Sequence, residues 1–169
     1  MAQKIIVVGV DGSSASDAAL RYAVHEAIAT GARVCAVTAW WVGPALSDVH
    51  DELYEDRRQH AKTVQASAIE SVVSSIDNPP EIDRRVLHGS PTATLLQASR
   101  GAQCLVVGSE HKGIFKRMTE GSVSVGCARH STVPLIIVPW SKAELDDQNV
   151  FVNVGQSLSD EPTSPAARV

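Results

Sequence analysis

The most constraining feature of this chain is a repeated change of hydrophobic period. Short β-branched runs alternate with longer stretches whose apolar residues recur every three or four positions. Residues 4–10, Lys-Ile-Ile-Val-Val-Gly-Val, are apolar on both faces and run into Asp11-Gly12-Ser13-Ser14, as a buried parallel strand does when it meets a turn. Ser13 or Ser14 then caps a helix that carries Ala19, Leu20, Ala23, Val24, Ala27 and Ile28 on one face, with Gly31 as its stop. Residues 34–40 read as a second strand, followed by a Gly43-Pro44 break. A long second helix spans roughly residues 48–76, where Val64, Ala68, Ile69, Val72 and Val73 keep the helical period. Its acidic residues Asp51, Glu52, Glu55 and Asp56, with Arg57 and Arg58, form a solvated face and not a catalytic carboxylate pair. Asn78-Pro79-Pro80 ends that helix, and residues 81–88 alternate as a strand near an edge does. Ser90-Pro91 opens a third helix, a fourth strand at residues 104–107 stops at Gly108, and Gly121-Ser122 opens a fourth helix. The fifth strand, residues 133–139, lies between two prolines, which confines it to a sheet edge.

Strands that alternate with helices predict an α/β fold: an open five-stranded parallel sheet, doubly wound through right-handed crossovers, in the order 3-2-1-4-5. The 169 residues suit one domain, expected over residues 1–140, with a polar acidic tail over residues 141–169. That tail holds two basic and five acidic side chains, −3 of the formal −4. The charge-free apolar stretch at residues 35–42 falls far short of the ~20 that a membrane helix needs. The opening Met-Ala-Gln-Lys lacks the pattern of a secretory leader, so the chain reads as cytoplasmic. Three cysteines, without a CxxC pair, and six scattered histidines predict neither a disulfide framework nor a metal centre. With 15 basic against 19 acidic residues, the chain lacks the excess of cations that nucleic acid requires.

In a doubly wound sheet, ligands bind beyond the carboxyl ends of the strands where the winding reverses, here between strands 1 and 4. Both strands lead into glycine-containing segments, Val10-Asp11-Gly12 and Val107-Gly108-Ser109. The second leads through a loop bearing Lys112, Lys116 and Arg117 into the start of the fourth helix, where free amides favour an anion. Gly108 to Gly113 has the glycine spacing of a P-loop, yet Ile114-Phe115 stands where Lys-Ser or Lys-Thr is needed. The first turn likewise lacks the G-x-G-x-x-G order of a dinucleotide site, and Ser122 to Gly126 lacks the first glycine of a nucleophile elbow.

The chain resembles the universal stress protein family over residues 3–139. The resemblance rests on Val-Asp-Gly-Ser after strand 1, on Gly89-Ser90-Pro91, on the terminal Val-Pro-Leu-Ile-Ile-Val-Pro strand and on a nucleotide motif, G-x-x-G followed by nine residues and G-S or G-T. Gly108 takes the first position of that motif, and Gly121 and Ser122 take the last two; His111 replaces the second glycine. A side chain there restricts close backbone approach to a phosphate, so His111 either swings outward and leaves an amide cradle or fills the triphosphate space.

The resemblance implies a Rossmann-like fold of the adenine nucleotide alpha hydrolase type. It also implies a stress-response regulatory module that binds ATP, or alternatively AMP or cyclic AMP, with or without magnesium. Val10, Asp11 and Gly12 would meet the adenosine, with the Asp11 carboxylate placed for a ribose hydroxyl or base amino group. Ala39 would present its backbone to adenine, Val107 and Gly108 would lie under the ribose and first phosphate, and Gly121, Ser122, Val123 and Ser124 would serve the outer phosphates. The resemblance further implies a homodimer formed through the strand at residues 133–139. A slow ATPase is the weaker alternative, since the sequence shows no nucleophile with a base, and a nucleotide-free dimeric scaffold is the other.

Overall fold

A computed structural model of the protein describes residues 4–41, 51–110 and 122–140. Its elements follow the order β1 (Ile5–Gly9), α1 (Ser14–Thr30), β2 (Arg33–Trp40), α2 (Asp51–Val73), β3 (Ile82–His88), α3 (Pro91–Ala98), β4 (Cys104–Glu110), α4 (Val123–His130) and β5 (Leu135–Trp140). The five strands form one sheet in the order β3-β2-β1-β4-β5, with every pairing parallel. Among the described residues no helix is long and apolar enough to cross a membrane.

The apolar runs of the inner strands follow from burial on both faces. Ile6 and Val8 of β1, Val34 and Ala36 of β2 and Val106 of β4 turn toward α1 and α2, where they meet Leu20, Val24, Ile69 and Val72. Val7, Cys35, Val37, Leu105 and Val107 turn to the other face, against Leu95 of α3 and Cys127 of α4. The three cysteines are buried and free, and burial pushes each thiol upward, so they pack as small hydrophobes. Winding reverses between β1 and β4: α1 leaves β1 toward one layer, whereas α4 follows β4 on the other.

Helix α1 has the predicted ends. The Ser13 side chain accepts a bond from the Ser16 amide, and Gly31 closes the helix in the left-handed region at φ 67°. Three expectations need correction. Strand β4 does not stop at Gly108 but continues to Glu110, because Gly108, Ser109 and Glu110 find partners in Val138, Pro139 and Trp140. Pro139 lies inside β5 instead of after it, which an edge position permits. Ser90 and Ser122 stand at the cap positions of α3 and α4, but neither side chain makes a capping bond. The Gly43-Pro44 break, the expected first turn of the second helix before Asp51 and the tail at residues 141–169 lie outside the described residues.

Candidate functional site

At the carboxyl end of the sheet, beside the reversal point, a cleft of about 120 Å³ opens on the α3 and α4 side. Val10 and Asp11 from the end of β1, Ala39 from β2, Val107 and Gly108 from β4 and Val123 from α4 all line it. Six of the residues singled out in the sequence therefore meet in one place. The space arises from β1 itself. Its residue in the α3-facing layer beyond Val7 is Gly9, where a Cβ would come 3.1 Å from Leu95 Cδ1. Gly9, Ser13, Ser16, Pro91 and Leu95 also line the cleft and were not among the predicted site residues. A glycine where the strand pattern calls for a branched side chain was the readable sign of Gly9.

Among the described residues, Asp11 carries the charge of the cleft. Its Oδ1 accepts the Ser13 amide at 2.9 Å and the Ser13 hydroxyl at 2.6 Å. Partial burial pulls the carboxyl pKa upward, but hydrogen bonding, first from the Ser13 hydroxyl and amide, outweighs that and holds it below the ordinary value. The group is thus an oriented carboxylate, and among the described contacts its second oxygen takes no bond from the protein. Such a group accepts hydrogen bonds from hydroxyl or amino donors.

Gly108 is required by packing. A Cβ there would be driven into the Ala15 carbonyl and come within 2.9 Å of the Ser16 amide, because the first turn of α1 lies against β4. Gly12 does not line the cleft. It sits at φ 79° in the turn, on the α2 side, where a Cβ would come 2.6 Å from Val64 Cγ1, and it belongs to a separate groove between α1 and α2. Ser122 and Ser124 border the start of α4 without lining the cleft, and their hydroxyls bond each other at 2.9 Å. His111 and Gly121 lie outside the described residues.

The sequence model of the universal stress protein family matches residues 3–139 of this chain. The chain belongs to the universal stress protein family. A universal stress protein of Mycolicibacterium smegmatis is 30% identical over 169 residues, spanning 96% of this chain and 56% of the relative. The chain spans about half the length of the curated relatives it matches. Among solved structures, a universal stress protein in complex with cyclic AMP superposes with a TM-score of 0.55 at 24% identity, covering 82% of this chain and 98% of that one. A family protein from Arabidopsis thaliana with AMP bound gives 0.57 at 17% identity, covering 83% and 94%. At these identities the likeness establishes the fold: the five-stranded Rossmann-like sheet of the family.

Proposed function

We propose that this chain is a regulatory module of the stress response that binds an adenine nucleotide in the cleft between β1 and β4. The observation that carries the reading is the meeting of Val10, Asp11, Ala39, Val107, Gly108 and Val123 at the reversal point, with one oriented carboxylate and the side chains of Ser13 and Ser16 among otherwise apolar or backbone surfaces. Apolar walls with a few placed polar groups suit a flat base and a sugar. Asp11 accepts a ribose hydroxyl, the Ala39 backbone meets adenine, and Val107 and Gly108 underlie the ribose and first phosphate. The amides at the start of α4 (Val123–His130), with Ser122, Ser124 and Gly121, serve the phosphates. Family structures solved with cyclic AMP and with AMP support the ligand class.

ATP is the favoured ligand, with AMP and cyclic AMP as alternatives and magnesium as the companion of the triphosphate. The cleft formed by the described residues, about 120 Å³, is smaller than the ~300 Å³ at which small-molecule pockets usually begin. It suits the adenosine end, and the family's nucleotide motif, in which His111 replaces a glycine, is assigned to the phosphate tail. Replacing His111 by glycine is therefore expected to strengthen ATP binding more than AMP binding.

Calorimetric titration with ATP, AMP and cyclic AMP, followed by phosphate release from ATP, tests the reading. Saturable binding without turnover supports a regulatory module, turnover identifies an ATPase, and no binding by any of the three overturns the nucleotide assignment and leaves the scaffold. The module is further proposed to act in the cytoplasm as a homodimer paired through β5.

A further inference from the structure

We propose that Gln65 and Thr38 are positioning residues of the cleft, forming a relay from α2 through the sheet that fixes the Val10–Asp11 peptide and hence the Asp11 carboxylate. The proposal deepens the nucleotide reading and rests on it for its ligand.

Gln65 is only 2% exposed and Thr38 only 4%, in the layer where Ala68, Ile69 and Val72 of α2 pack on the sheet. A buried amide in such a layer is costly unless bonded, and a leucine or methionine there would dock a helix without that requirement. Gln65 Nε2 lies 3.1 Å from the Ala36 carbonyl, 3.0 Å from the Arg85 carbonyl and 3.1 Å from Thr38 Oγ1. Two protons meet three acceptors: the carbonyls tie α2 to β2 and β3, and the threonine shares one of the two protons with a carbonyl. Helix docking through the carbonyls does not account for the threonine.

Thr38 Oγ1 accepts from Gln65 and donates onward to the Val10 carbonyl at 2.8 Å. Val10 lies one residue past Gly9–Val37, the last register pair of β1 with β2. Its amide still bonds Val37 at 2.9 Å, and the hydroxyl of Thr38 supplies a donor to its carbonyl. The other end of that peptide is also held. The Asp11 amide donates to Ser16 Oγ at 3.3 Å, and Ser16 Oγ donates to the Ser13 carbonyl at 2.9 Å. One peptide plane, immediately before the cleft's carboxylate, is thus fixed at its carbonyl from one layer and at its amide from α1. The next residue, Gly12, abuts Val64, the neighbour of Gln65 on α2. Two consecutive α2 residues therefore bear on the turn that carries Asp11.

The test uses Thr38→Val, which keeps the shape and removes the donor, Thr38→Ser, which restores it, and Gln65→Leu. Two readouts are taken: hydrogen exchange of the Asp11 amide by NMR without ligand, and calorimetric affinity for AMP and ATP. Losing one neutral hydrogen bond predicts about tenfold faster exchange at Asp11 and about tenfold weaker binding of AMP and ATP alike in Thr38→Val. Equal loss for both ligands is expected because the relay acts on the adenosine end. Thr38→Ser is expected to return both readouts to within about threefold of the parent, which mere packing at residue 38 would not do. Unaltered Asp11 exchange in a folded Thr38→Val, or an equal defect in Thr38→Ser, overturns the relay. Should Thr38→Val fail to fold, Gln65→Leu decides by the same two readouts. If the parent binds neither nucleotide, the functional reading fails, while Asp11 exchange still decides the relay.

Discussion

A methyl group at residue 108 would have to displace the first turn of α1, since the Ala15 carbonyl and the Ser16 amide occupy its place. Backbone does not yield as a side-chain tip does, so Gly108→Ala is expected to destabilise the fold by about 1–3 kcal/mol, read as a lower urea midpoint. The same residue shows how far sequence reading reaches. Its glycine is legible in the sequence only as the stop of a strand under a phosphate; the cause lies in a helix more than ninety residues earlier, and no local pattern records that. Asp11 yields a pH prediction. Its carboxyl pKa is lower in the folded state than in the unfolded chain, so its ionised form stabilises the fold above the unfolded value. That contribution is lost as pH falls through the folded one. Asp17 works in the opposite sense: burial raises its carboxyl, Arg21 opposes that, and the Asp11 charge adds to it, so its ionisation weighs against folding and acidification relieves it. Comparing the parent with Asp11→Asn reads the first effect, less the relief of Asp17 when the Asp11 charge is removed. The parent's advantage in urea midpoint is expected at neutral pH and to shrink below about pH 4; an advantage independent of pH would contradict it.

At the level of elements, Ser13 joins the start of α1 to the cleft: its Oγ accepts the Ser16 amide at 3.2 Å and donates to Asp11 at 2.6 Å. Ser13→Ala removes a helix cap and one of the bonds that hold the carboxylate. The expected results are a loss of about 1–2 kcal/mol in urea unfolding and a rise of the Asp11 carboxyl toward its ordinary value, followed by NMR titration. Such local chemistry is what the sequence displays well. The cap at Ser13, the stop at Gly31 and the burial of β1 and β2 on both faces each follow from a few adjacent residues. Elements whose limits depend on a neighbour were less legible. Strand β4 outruns its glycine because β5 supplies partners as far as Trp140. Ser122 resembles a cap in sequence, yet its hydroxyl pairs with Ser124, and a lone side-chain rotamer of that kind leaves no periodic trace. Within the cleft, Ser16 and Leu95 went unrecognised because they belong to helices whose own pattern explains them fully, one as the third residue of α1 and one as the buried face of α3.

For the molecule as a whole, the two sheet edges differ in character. The outer strand β3 carries Asp83, Arg84 and Arg85, with Arg85 paired to Asp83 at 2.9 Å, and charges of this sort deter strand-to-strand association. The opposite edge, β5, reads Leu-Ile-Ile-Val-Pro-Trp without a charge, and Ile137 is 44% exposed. An uncharged apolar edge invites a second copy of the same strand, and a two-fold axis lets one patch cover itself without growing into a fibre. The proposed homodimer is therefore expected to give twice the monomer mass by light scattering at micromolar concentration. Its association should change little with salt, since apolar contacts are not screened as surface ion pairs are. Ile137→Lys places a charge at the centre of that edge and is expected to yield a folded monomer whose urea midpoint no longer depends on protein concentration, whereas the parent's midpoint rises with it. A parent chain that is monomeric throughout, or a lysine variant that stays dimeric, would place the contact elsewhere.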